Sequence, residues 1–149
     1  MLRWCLCGGA YDLITHDYGP DRMMASVHIE VPDTFTADRI DRIAREIQTK
    51  VYLENQTILT AIGIYSHNTS DDKAIALQEE IRRIVMNEDY VLQMHGFYLD
   101  QENRMLRFDI VVDFAAPDRQ EVHQIVTEKV QALCPDYNLI IVLDSDMAD

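Results

Sequence analysis

The sequence predicts an α+β protein made of two tandem copies of one small module, in the order ββαβ-α-ββαβ, with helices packed on one face of mostly antiparallel sheets. Three observations carry this. A hairpin-like stretch, YDLITHDYGPDRMMASVHIEV from Tyr11 to Val31, returns in degraded form as YVLQMHGFYLDQENRMLRFDIVV from Tyr90 to Val112. Tyr11 aligns with Tyr90 and His16 with His95, each 79 residues apart, while Met24 aligns with Met105 and His28 with Asp109, each 81 apart. That alignment puts the drift in the turn, Gly19-Pro20-Asp21-Arg22 against a longer Asp100-Gln101-Glu102-Asn103. The stretch after each hairpin repeats as well: DRIDRIAREIQTKV at Asp38 is echoed by DRQEVHQIVTEKV at Asp118, and the apolar run Ile58 to Tyr65 by Leu139 to Asp144. Finally, the apolar period changes from two to about 3.6 residues at the same place in each copy.

Taken in order, Tyr11 to Tyr18 makes a first strand, and Gly19-Pro20-Asp21 supplies turn chemistry. From Met24 to Val31, Ala25, Val27, Ile29 and Val31 alternate with Ser26, His28 and Glu30, the pattern of a half-buried strand. From Thr36 a helix carries Ile40, Ile43, Ala44, Ile47 and Val51 on one stripe and ends near Glu54-Asn55. Thr57 to Tyr65 is the third strand, followed by the polar connector Ser66 to Ser70. Ser70 is placed to cap a helix over residues 71–86, with Asp71 and Asp72 in its first turn. The second copy then reads strand (Tyr90 to Leu99), strand (Met105 to Phe114), helix (Pro117 to Leu133, with Pro117 at its first position) and strand (Asn138 to Leu143). The 71–86 helix is expected to open the second module, while the first module's opening helix is missing or lies upstream of Met1. The expected division is therefore a non-native or poorly ordered start over residues 1–10, a first module over 11–69 and a second over 70–149.

The chain has 149 residues and a net charge of -13, which repels phosphate backbones and favours cations and basic surfaces over nucleic acid. Cys5, Cys7 and Cys134 make an odd, poorly spaced set for a disulfide framework, so a reducing, cytoplasmic setting is expected. No stretch approaches the roughly 20 apolar residues of a membrane-spanning helix. There is no nucleophile elbow, phosphate-cradling glycine loop or metalloprotease helix motif, so no enzyme activity is expected.

Candidate ligands for a divalent cation are His28, beside Glu30 on the outward strand face, and its counterpart Asp109. His16 and His95 stand at aligned positions. His67 lies in the polar connector, and Asp144-Ser145-Asp146 offers two carboxylates where the last strand ends. Each position also reads without a ligand: a solvated strand face for His28, a hydrogen bond at the turn for His16 and His95, an acidic tail for Asp144 and Asp146.

The run Tyr11 to Pro20, followed by Ser26-Val27-His28-Ile29-Glu30-Val31-Pro32, a helix and an apolar strand, resembles the cytoplasmic C-terminal domain of cation diffusion facilitator transporters. Met94 to Tyr98 and Phe108 to Val112 resemble the additional copy that some bacterial members carry, so the resemblance covers Tyr11 to the end. It implies ferredoxin-like, metallochaperone-like αββαβ modules forming a homodimer beneath the membrane domain of the same transporter. That domain exchanges divalent cations for protons across the inner or plasma membrane. The implied ligand positions are Tyr11, His28, Asp41 and Tyr65-Ser66-His67 in the first copy, and Tyr90, Asp109, Glu121 and Asp144-Ser145-Asp146 in the second. This set is richer in oxygen than in nitrogen, which admits Mn²⁺ or Fe²⁺ beside Zn²⁺. The expected function is a regulatory and dimerisation domain of a cation efflux transporter; the alternative is a free-standing ferredoxin-like sensor of a small molecule or metal.

Overall fold

The computed structural model describes residues 8–20 and 22–144. Among them the order is β1 (Gly9–Asp17), β2 (Met23–Pro32), α1 (Ala37–Asn55), β3 (Thr57–His67), α2 (Asp72–Met86), β4 (Val91–Asp100), β5 (Met105–Val112), α3 (Arg119–Leu133) and β6 (Asn138–Asp144). They fall into two compact units, residues 8–67 and 68–144. Each is a ββαβ arrangement with one three-stranded sheet, β1-β2-β3 or β4-β5-β6, and α2 opens the second unit. Among the described residues no helix is long and apolar enough to cross a membrane.

The sheets depart from the mostly antiparallel expectation. β1–β2 and β4–β5 are antiparallel, but β2–β3 and β5–β6 are parallel, so each sheet is mixed. The cause is the crossover: a strand–helix–strand path brings the chain back to its starting end, and the strands it joins must run the same way.

In the first unit the alternation in β2 buries Ala25, Val27, Ile29 and Val31 and turns Ser26, His28 and Glu30 to the other face. Thr36 caps α1 by accepting from the Arg39 N–H, and the helix ends at Gln56 in the left-handed conformation (φ 55°). The apolar stripe of α1 is only half-buried, and the buried cluster is limited to Ala25, Val27 and Leu59 with Ile47, Val51 and Ile62 against it. The second unit has a fuller core. Leu106, Phe108, Ile110 and Val112 of β5 meet Met94 of β4, Ile81 and Val85 of α2, and Val126 and Val130 of α3. The difference is α2, which packs on β4 and α3. The first unit has no equivalent helix among the described residues.

Helix starts are shifted from their expected residues. Asp71, not Ser70, caps α2, its carboxylate accepting from the Lys73 and Ala74 N–H groups. Gln101 in the β4–β5 turn donates to the same carboxylate at 2.7 Å. That bond, followed by the Ala74 N–H, holds the Asp71 pKa below the usual carboxylate range. Asp118 caps α3 and Pro117 precedes the cap. An aspartate outcompetes a neighbouring Ser or Pro here because its carboxylate reaches two orphan N–H groups at the positive helix end. At the far end of α3, burial and secondarily Glu80 push the Cys134 thiol up in pKa, leaving a packed, protonated side chain.

The hairpins repeat in a different register from that given by matching letters. His16 pairs with Met24, whereas His95 pairs with Asp109, and it is Tyr11 that pairs with His28. Each first strand carries a bulge, Tyr11 to Ile14 in β1 and His95 to Tyr98 in β4. Each has one residue in the left-handed region immediately after its first bulge residue, Asp12 (φ 55°) and Gly96 (φ 64°). The structural counterpart of His95 is therefore Tyr11, not His16. The last pair before the turn is Asp17 with Met23 in the first hairpin and Asp100 with Met105 in the second, leaving residues 18–22 against residues 101–104, so the second turn is the shorter one. Gly9 and Ala10 already pair with Glu30 and Ile29, so β1 begins before Tyr11. Residues 1–7, with Cys5 and Cys7, lie outside the described residues, as do Asp21 and residues 145–149.

Candidate metal centre

On the sheet face away from the helices, each unit presents one side chain per strand at the same three positions. In the first unit these are Tyr11, His28 and Tyr65; in the second they are His95, Asp109 and Asp144. One scaffold thus displays two aromatics and an imidazole in one copy and an imidazole with two carboxylates in the other.

In the second unit the β4 bulge at Gly96 sets the path of the strand beside His95, which is 2% exposed. Its Nε2 lies 3.7 Å from Asp144 Oδ2 and 4.0 Å from Asp109 Oδ2. Arg107 Nε stands 3.9 Å from the other oxygen of Asp109. The end of β6 is held by Arg119, which donates to the carbonyls of Val112 (3.1 Å) and Asp144 (2.9 Å) and lies over the Phe114 ring. One imidazole nitrogen facing two carboxylates is a donor set for a divalent cation. The separations fall within the span of two metal–ligand bonds of roughly 2.1 Å each. Nitrogen with two hard oxygens suits Zn²⁺, Mn²⁺ or Fe²⁺ and disfavours soft monovalent ions.

In the first unit His28 Nδ1 lies 3.0 Å from Asp12 Oδ2, without hydrogen-bond alignment, and the imidazole stacks on Tyr65 at 4.6 Å between centroids and 14° between planes. The Tyr65 hydroxyl donates to the same Asp12 oxygen at 2.6 Å, which orients the carboxylate between phenol and imidazole. Across the sheet Gly63 leaves room for the ring: a Cβ there would stand 2.1 Å from His28 Cδ2. Gly63→Ala is accordingly expected to swing the imidazole off Tyr65 and away from Asp12. The cost should be about 1 kcal/mol, at the low end for overpacking, because the His28 side chain is 41% exposed and can move outward. Loss of the upfield ring-current shift on the His28 ring protons would report the movement; unchanged His28 resonances would contradict it.

The remaining expected ligands are dispersed. Asp41 is on α1, in the layer opposite His28, and pairs with Arg45 at 2.8 Å, raising the arginine pKa through that hydrogen bond. His67 Nδ1 lies 3.4 Å from Glu30. His16 is exposed on β1 beside Tyr18. Asp146 lies outside the described residues. His123 Nε2 contacts the Ile141 carbonyl at 2.7 Å, tying α3 to β6. Asp12 carries no sequence signal of a site residue; only its left-handed bulge position, absent from any residue pattern, brings it to His28.

No protein-family model matches the chain, and no curated protein or solved structure does either.

Proposed function

We propose that the chain is a non-catalytic, divalent-cation-responsive module of the ferredoxin-like kind, acting as the cytoplasmic regulatory and dimerisation domain of a cation diffusion facilitator transporter. The observation that carries this reading is the meeting of His95, Asp109 and Asp144, one from each strand of a single sheet. The net charge of -13 and the doubled ββαβ order are consistent with it. A bound cation offsets the carboxylate charges gathered at His95 and locks β4, β5 and β6 together. In a homodimer this tightens one subunit pairing over another, and an attached membrane domain receives that bias as a change in conformational equilibrium.

The test is thermal unfolding and light scattering of the chelator-treated chain with Zn²⁺, Mn²⁺, Fe²⁺ (under anaerobic conditions) or Mg²⁺ added. One of the first three is expected to raise the unfolding temperature, by the equivalent of about 2.7 kcal/mol at 100-fold excess over its dissociation constant. Asp144→Ala should remove the response. No shift with any of these cations, in melting or in dimer formation, would overturn the proposal.

A further inference from the structure

Beside the three candidate ligands stands a cationic side chain that cannot itself be a ligand. Arg107 precedes Asp109 by two residues on β5, so both lie on the sheet face away from the helices, and its Nε is 3.9 Å from Asp109 Oδ1. Its cross-strand partners are Tyr98 on β4 and Ile140 on β6, neither of them acidic, so the guanidinium reaches past its own level to the carboxylate beside His95. The fold does not ask for an arginine there. The equivalent position in the first unit, two residues before His28, is Ser26, and the same kind of sheet forms around it. The arginine thus occurs in the copy that gathers Asp109 and Asp144 at His95, and not in the copy where His28 stands between Tyr11 and Tyr65.

Its hold on Asp109 is loose. At 3.9 Å the contact is an ion pair beyond hydrogen-bond length, and the Arg107 side chain is 51% exposed. Arg119 shows the contrast within the same unit, since it donates to two carbonyls at 3.1 and 2.9 Å and lies over the Phe114 ring. A guanidinium does not give up its charge. Near an almost buried carboxylate it therefore offsets charge in the cation-free chain and repels any second cation that comes to the same oxygens. We infer that Arg107 is the resident counter-ion of the candidate metal centre, competing with a divalent cation for Asp109 and so weakening the affinity of the site. This role presupposes the cation binding proposed for His95, Asp109 and Asp144 and accounts for its strength. A competitor carried by the chain moves the response to higher cation concentrations while the donor set stays the same.

The test is calorimetric titration of the chelator-treated whole chain with Zn²⁺, Mn²⁺ and, under anaerobic conditions, Fe²⁺, beside melting in chelator alone. Arg107→Met keeps an apolar stem and removes the charge. It should bind the responding cation about 10-fold more tightly, the scale of taking one unit charge from beside a divalent ion at high dielectric. In chelator the same variant should melt below the parent, because Asp109 has lost its counter-ion. Arg107→Lys keeps the charge and should bind like the parent. Arg82→Met removes the same charge from an exposed position of α2, in the helix layer, and should leave affinity unchanged. If the parent binds and Arg107→Met binds equally or more weakly, the counter-ion role is overturned alone; an arginine that only positions Asp109 predicts the weaker binding. Equal tightening by Arg107→Lys overturns it because charge would not be the cause, and equal tightening by Arg82→Met because net charge would be. No binding of any of the three cations, by parent or variant, overturns the role together with the cation site it presupposes.

Discussion

Phe108→Ala is expected to cost the second unit about 3–5 kcal/mol, enough to unfold a domain of ordinary marginal stability. Phe108 is fully buried at the centre of β5, where α2, α3 and β4 converge, and its ring faces that of Phe97 at 6.5 Å between centroids. Truncation leaves a void walled by Ile81, Val85, Val126 and Val130, each held by its own helix, so the walls cannot collapse inward cheaply. Urea unfolding followed through backbone amide signals of residues 91–143 reads the loss directly. A midpoint within error of the parent chain would mean that the core is not organised on β5. The same measurement on Val27→Ala should show a smaller loss, because the first unit's buried cluster has only three fully buried residues among those described and a groove beside α1 already exposes one side.

That asymmetry marks where sequence patterns inform and where they stop. The order of strands and helices was legible because each copy switches from a period of two to one of 3.6, and because Val27 and Phe108 alike sit in alternating runs. The register of the first strands was not. Matching Tyr11 to Tyr90 and His16 to His95 follows letters, but hairpin length is nearly free energetically, and the path from Tyr11 to His28 is three residues longer than that from His95 to Asp109, which shifts every letter upstream of the tip. What holds the two copies in common is backbone: a bulge, a left-handed residue and the pairing of Tyr11 with His28 and of His95 with Asp109. Asp12 and Gly96 share that backbone role and no side-chain chemistry, so no comparison of residues aligns them.

The candidate site was legible in part for the same reason. His95 pairs directly with Asp109 across β4 and β5, and Asp144 lies on the same face of β6 two residues beyond Val142, the partner of Asp109, a fact of register. Asp41 belongs to the expected set by resemblance alone, and the fold places it in the helix layer, where it pairs with Arg45. The half-burial of α1 was also invisible in sequence, since the stripe Ile43, Ile47 and Val51 is as apolar as that of a fully buried helix. Only the absence of a neighbouring helix among the described residues separates the two cases.

Asp109→Asn is expected to act in opposite directions without and with a bound cation. Asp109 is 7% exposed, so its carboxylate is taken largely out of water, and His95 and Arg107 stand at 4.0 and 3.9 Å from it. Burying an ionised group is costly, and the isosteric amide keeps the shape while removing the charge. The cation-free variant should therefore melt at or above the parent. With a cation present the amide is a poorer, uncharged ligand, and affinity should fall about 100-fold, equivalent to about 2.7 kcal/mol of lost metal-dependent stabilisation. The two effects have different origins: the first is a solvation effect of one buried group, the second belongs to the assembled donor set. A purely structural pairing of Asp109 with His95 and Arg107 predicts instead an equal loss of stability in both conditions. Melting curves of the parent, Asp109→Asn and Asp144→Asn, each with chelator and with saturating cation, separate the two accounts by the sign of the chelator-only shift.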